Sequence, residues 1–350
     1  MSHELREKDM KKGLLERLAA GPVICAEGYL FELERRGYLQ AGAFVPEVVL
    51  DHPEQVSALH REFVHAGSDV VEAFTYYSHR EKLRVIGKEH LLEEINRHAL
   101  VLAKEVAEET GTLFAGNLSN SNVWDPEDED SQREVRSMFE EQVEWAVDAG
   151  ADCIISETIS YVGEALCSLE VIASSGLPSV ITMAVHRSGL ARDGGTVLDA
   201  CKRLADAGAD VVGLNCSRGP ETMLPLLEGL APQVSAYVAA LPVPYRTHAE
   251  QPTFQSLRDE RRPEQPFPVG LEPFTCTRWE IADFTRAALE LGVSYFGVCC
   301  GAAPSHIRSM AEALGRTPEA SRYSPDMSKH AYFGSDPTLR EQNLAYKDSL

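Results

Sequence analysis

Ala207-Gly-Ala-Asp-Val-Val-Gly-Leu-Asn-Cys216 joins the end of a helix to a short strand in a single phrase. Its first glycine supplies the left-handed residue that stops a helix, and the valine pair after it favours a strand. The phrase recurs at Ala149-Gly-Ala-Asp-Cys-Ile-Ile-Ser-Glu-Thr158 and at Ala66-Gly-Ser-Asp-Val-Val-Glu-Ala-Phe-Thr75. A looser copy stands at Leu291-Gly-Val-Ser-Tyr-Phe-Gly-Val-Cys-Cys300. Each copy follows an amphipathic helical segment. Between the copies lie further strand candidates at 23–25, 113–115, 179–183 and, less sharply, 235–240. About eight strands alternating with helices read as a parallel sheet. Eight such units in 350 residues predict an α/β fold of the TIM (β/α)8 barrel type. A doubly wound sheet is the alternative, but no Gly-x-Gly-x-x-Gly follows the first strand.

The apolar fraction of 44% is that of a globular chain with a full core. Asp and Glu outnumber Lys and Arg 54 to 33, leaving a net charge of −21. That balance argues against nucleic acid or an anionic membrane as partner, since phosphates are bound by clustered bases. The first twelve residues are highly charged and hold no apolar leader core. No apolar run approaches the ~20 residues that span a bilayer. A soluble, cytoplasmic protein is expected, with its eight cysteines reduced, catalytic or metal-bound rather than paired.

Chemistry in such barrels gathers at the C-terminal ends of the strands. Those ends read Glu27, Thr75 to Tyr77, Asn117, Glu157, Cys216, and Cys299 with Cys300. Successive strand residues face opposite ways, so Cys299 and Cys300 converge only if the strand stops at Val298 and Gly301 permits a tight turn. With Cys216 on the same barrel face, three thiolates suit zinc, and three protein ligands leave the open fourth position of a catalytic site. Two inert cysteines or a vicinal disulfide are the alternatives at 299–300. Cys25, Cys153, Cys167, Cys201 and Cys276 read as small buried apolar residues.

Zinc held by three thiolates is a weak source of hydroxide but well suited to a substrate thiol. Deprotonating a free thiol at pH 7 costs about 2 kcal/mol, and coordination removes that cost. Glu27 and Glu157 could clamp the ammonium of an amino-acid thiol. The plainer alternative for each is a barrel-end carboxylate bonded to backbone amides.

These residues resemble the zinc-dependent homocysteine S-methyltransferases, and within them the betaine-using branch. The resemblance spans roughly residues 15 to 315. It is carried by Leu33-Glu-Arg-Arg-Gly-Tyr38, Leu59-His-Arg-Glu-Phe63 with Ala66-Gly67, Phe74-Thr-Tyr-Tyr77, Asn215-Cys216, Gly270-Leu-Glu-Pro273 with Thr277-Arg-Trp279, and Cys299-Cys-Gly301 with His306-Ile-Arg308. It implies that Cys216, Cys299 and Cys300 bind Zn2+ and that Glu157 meets the homocysteine amino group. It further implies a methyl transfer from a betaine-like quaternary ammonium to homocysteine, giving methionine. Two departures stand out. The family's Asp-Gly-Gly at the first strand end is here Ala26-Glu27-Gly28, and a tryptophan of the betaine branch is here Phe44. A one-residue shift at a strand end can turn a side chain away from the site.

A quaternary ammonium has no N–H, so aromatic faces must hold it. Tyr29, Phe44, Tyr76 and Tyr77 are expected to form that cage. Rival readings keep the acceptor with a sulfonium donor such as S-methylmethionine, invoke a corrinoid donor, or make the chain a zinc-thiolate binding protein without turnover. Loops at 118–130 and 245–268 are long enough to be lids, although the acidic run 125–130 reads equally as a solvated excursion. The barrel is expected over 1–315. A C-terminal arm over 316–350 is expected to pack on it or on another copy of a homo-oligomer.

Overall fold

Eight parallel strands close into a barrel in simple sequence order in the computed structural model, which describes residues 12–350. They are β1 Val23–Ala26, β2 Val70–Glu72, β3 Leu113–Ser119, β4 Cys153–Ile159, β5 Ser179–Met183, β6 Val211–Asn215, β7 Tyr237–Leu241 and β8 Val293–Val298. Closure comes from β8 pairing with β1, Val23 opposite Tyr295 through Ala26 opposite Val298. The expected TIM barrel is the fold. The charged N-terminal stretch lies outside the described residues, apart from Lys12.

The recurring phrase has a structural cause in three of its copies. Its glycines end helices in the left-handed region, Gly67 at φ 119°, Gly150 at 83° and Gly208 at 99°. Its aspartates then fasten the new strand to an adjacent one. Asp69 Oδ2 accepts from Ile24 N at 2.8 Å, Asp152 Oδ2 from Phe114 N at 2.7 Å, and Asp210 Oδ2 from Ser179 N at 2.9 Å. The fourth copy has Ser294 in that place and lacks the carboxylate.

Alternation along each strand divides the apolar residues into two clusters. Cys25, Val70, Leu113, Ala115, Cys153, Ile155, Val180, Val211, Ala239, Leu241 and Tyr295 fill the inside, joined by Leu14 and Leu18 of the helix Leu14–Ala20. Ile24, Val71, Phe114, Ile154, Ile181, Val212 and Phe296 face the surrounding helices. Among the described residues no helix is long and apolar enough to cross a membrane.

The two long loops differ. The acidic run opens the helix Glu129–Ala149, with Asp128 as its N-cap accepting from Asp130 N at 2.9 Å. Negative charge there suits the positive end of the helix. The 245–268 segment packs inward, with Tyr245, Phe254 and Leu257 almost wholly buried. Past Arg316, which pairs with Asp69 at 2.6 Å, the chain runs through short helical turns with many exposed residues.

Candidate functional site

Unusual backbone marks the C-terminal ends of the strands. Tyr77, Thr158, Cys216 and Ser217 take φ of 62°, 60°, 58° and 61°. Left-handed backbone costs a non-glycine residue on the order of 1 kcal/mol, so surrounding bonds must hold it. Tyr77 N donates to Ser119 Oγ at 3.2 Å, Thr158 N to Asn215 Oδ1 at 2.8 Å, and Cys216 N to the Leu241 carbonyl at 2.9 Å. β8 stops at Val298, and Cys299 N donates to the Pro242 carbonyl at 2.9 Å. Gly301 then turns at φ 97°, and a Cβ there would lie 2.3 Å from Tyr245 Oη. Only glycine fits that turn.

These turns bring the three cysteines together. Cys216 Sγ lies 3.6 Å from Cys300 Sγ, and Cys299 Sγ lies 3.8 Å from Cys300 Sγ. All three sulfurs fall within 4.8 Å of one another. Thiolates about 2.3 Å from a tetrahedral zinc sit roughly 3.8 Å apart, so this donor set fits that ion in both chemistry and spacing. The Cys299 and Cys300 thiols beside it hold the Cys216 thiol well below its usual range, while burial pushes Cys299 up.

Two carboxyls, Glu27 and Glu157, stand next to the sulfurs, and a third, Glu72, joins them through Asn117. Glu27 faces inward despite its shifted position, with Oε2 accepting from Asn215 Nδ2 at 3.2 Å. Glu157 Oε2 accepts from the same amide at 2.8 Å and lies 4.0 Å from Cys299 Sγ. Glu157 Oε1 accepts from Asn117 Nδ2 at 2.8 Å, which also donates to Glu72 Oε1 at 2.7 Å. Burial raises all three carboxyls. For Glu27 the charges of Glu157 and Glu72 add to it, for Glu72 that of Glu157, and Glu157, beside Cys216, is pushed up to about 7.

Glu72 was not among the expected site residues. Its signal was a carboxylate closing the buried run Val70-Val-Glu72, where an unpaired charge is costly. Cys25 also departs from expectation, since its sulfur lies within 4.8 Å of carboxylate oxygens of Glu27 and Glu72 rather than among apolar groups alone.

The four expected aromatic side chains have different neighbours. Tyr76 lines the cavity together with Cys300, Cys299 and Glu157, and its ring centroid is 4.3 Å from that of Tyr77. Lys82 Nζ sits 4.0 Å from the Tyr77 centroid. Tyr29 lines the same cavity but is only 3% exposed, edge-on to His60 and Phe63. The Phe44 ring stacks on Phe31 at 5.6 Å, and Phe31 continues to Phe254 and Phe267. The inward-packed 245–268 loop gives this ring cluster apolar partners, and through Phe254 it continues to Tyr245.

A barrel with three convergent cysteines and an acidic wall at its C-terminal face defines a class, and the comparisons specify it. The chain belongs to the homocysteine S-methyltransferase family, whose profile matches residues 23–314. It is 38% identical to betaine–homocysteine S-methyltransferase 1 of Mus musculus over 339 residues, 94% of this chain and 80% of that protein. It is 36% identical to the S-methylmethionine–homocysteine S-methyltransferase of Pongo abelii over 332 residues, 93% of this chain and 87% of that one. Among solved structures, the metallated form of the Escherichia coli homocysteine methyltransferase MmuM aligns at a TM-score of 0.66. The match covers 85% of this chain and 98% of that one at 18% identity, and it shows the shared fold.

Proposed function

We propose that this enzyme transfers a methyl group from a betaine-type quaternary ammonium to homocysteine, with zinc held by Cys216, Cys299 and Cys300. The observation that carries the reading is the cluster of three sulfurs beside Glu157 and the Tyr76–Tyr77 pair, at one end of a closed barrel. Zinc held by these three cysteines would keep the substrate sulfur as thiolate at neutral pH. Glu27 and Glu157 hold the homocysteine ammonium, and the tyrosine faces hold the onium. The sulfur lone pair forms the new S–CH3 bond as the C–N bond breaks. Its electron pair leaves with nitrogen as a neutral tertiary amine, and the thiol proton has already passed to solvent. No general acid is required.

The sulfonium reading has one observation in its favour, namely near-equal identity to a relative named for S-methylmethionine. Zinc-loaded protein with homocysteine and either glycine betaine or S-methylmethionine, read for methionine by mass spectrometry, separates the two. Methionine is expected from betaine. Methionine from S-methylmethionine alone moves the donor assignment, and none from either leaves thiol binding without turnover. Tyr323, Phe333 and Tyr346 expose 68%, 52% and 58% of their surfaces. On that ground we read residues 316–350 as an arm covered by a second copy in a cytoplasmic homo-oligomer.

A further inference from the structure

One wall of the cavity has hydrogen bonds that do not balance. Cys25 pairs with Val70, so Glu27 and Glu72, each two residues on, leave neighbouring strands side by side. Glu27, Glu72 and Glu157 are 6%, 2% and 4% exposed. Asn117 gives its amide hydrogens to Glu72 and Glu157, and the Asn215 amide serves Glu157 and Glu27. Yet Glu27 Oε1 and Asn117 Oδ1, both buried, have no partner, and both residues line the cavity. The two unpaired atoms are acceptors. A group seated here must therefore donate to at least two acceptors, and the three carboxyls around it favour positive charge. That is the chemistry of a primary ammonium.

We propose that Glu72 is a specificity-determining residue of the acceptor site. With Glu27, Glu157 and the Asn117 carbonyl it forms a four-sided seat for the primary ammonium of an amino-acid thiol. The inference rests on the homocysteine reading and adds a residue from β2 to it. An acylated amine brings one N–H and no charge, and a missing amine leaves every acceptor in the wall unmade, so the seat rejects both.

The test compares zinc-loaded wild-type protein with Glu72→Gln. Gln keeps the shape and can still accept from Asn117, removing only the charge. Binding is measured by calorimetry for homocysteine and for 4-sulfanylbutanoate, the same thiol acid without the amine. Initial rates against methyl donor are measured alongside. A hydrogen bond to a charged group sets the expected loss at roughly tenfold for homocysteine, with 4-sulfanylbutanoate affinity and donor KM unchanged. Glu72→Asp, which keeps the charge but withdraws it by one methylene, should fall between. A purely structural role would weaken both thiols alike, and that outcome, or unchanged homocysteine affinity in Glu72→Gln, overturns the proposal. Wild-type protein with no preference for homocysteine over 4-sulfanylbutanoate would remove the homocysteine reading itself, and the seat with it. A wild-type preference that survives in the variant removes Glu72 alone.

Discussion

Three sulfurs converging on one point, with neighbours 3.6 and 3.8 Å apart, are arranged for a metal rather than for a single nucleophile–base pair, even though Cys299 Sγ also reaches Glu157 Oε2 at 4.0 Å. Cys299→Ala with Cys300→Ala should therefore abolish bound zinc and activity together, while circular dichroism and melting show an intact barrel. Full zinc content in that double variant would sink the assignment. These cysteines were legible in the sequence because residue type and strand-end position suffice to place them. Glu72 was not, because the repeated phrase that contains it reads as framework. Nothing local says that the Phe44 ring stacks on Phe31 either, because that partner is set by the fold. Tyr77 carries a second residue-scale expectation. Lys82 lies against its ring, so a bound onium must use the other face or that of Tyr76, because two cations on one ring weaken each other. A desolvated cation–π contact is worth about 2 kcal/mol, so Tyr77→Ala should lower donor kcat/KM roughly thirtyfold. Tyr77→Phe should cost much less if the ring face is what binds. Equal losses in the two variants would assign the role to the hydroxyl.

At the scale of elements, strand ends and helix ends were the legible parts, because glycine, aspartate and β-branched residues mark them locally. The long loops were not, since their fate depends on distant partners. Tyr245 is buried against Phe254 and against Gly301, and the latter lies tens of residues away in sequence. The acidic run 125–130 shows how two readings of one composition separate. It could cover the site or simply begin a helix, and Asp128 is the N-cap of Glu129–Ala149. Loss of such a cap costs about 1 kcal/mol. Asp128→Ala should lower the denaturant midpoint accordingly and leave KM for both substrates unchanged. A raised KM with unaltered stability would restore the lid.

For the whole molecule, acid and base groups buried in the barrel pull stability in opposite directions with pH. Burial lowers His60 to about 3 and His79 and His306 to about 4, so each is neutral when folded near pH 5. Their folded values are depressed below the unfolded ~6.5. The stability they contribute is present above ~6.5 and is lost as pH falls toward the folded values. The site carboxyls act the other way. Burial raises Glu157 to about 7, above the unfolded ~4.3. Its contribution is full below the unfolded value and is lost as pH rises through 7. Between about pH 4.5 and 6.5 the two sets oppose, so the wild-type profile alone cannot separate them. His60 can be isolated, because it is fully buried, neither ring nitrogen has a partner, and its ring contacts Tyr29 rather than the sulfurs. His60→Leu removes one proton taken up on unfolding in that window. The slope of unfolding free energy against pH should fall by about 1.4 kcal/mol per unit, with little change at pH 8. Urea midpoints measured at intervals from pH 4.5 to 8 give both slopes. Parallel profiles for wild type and variant would mean that His60 is protonated in the folded barrel, and that a partner for it must be sought.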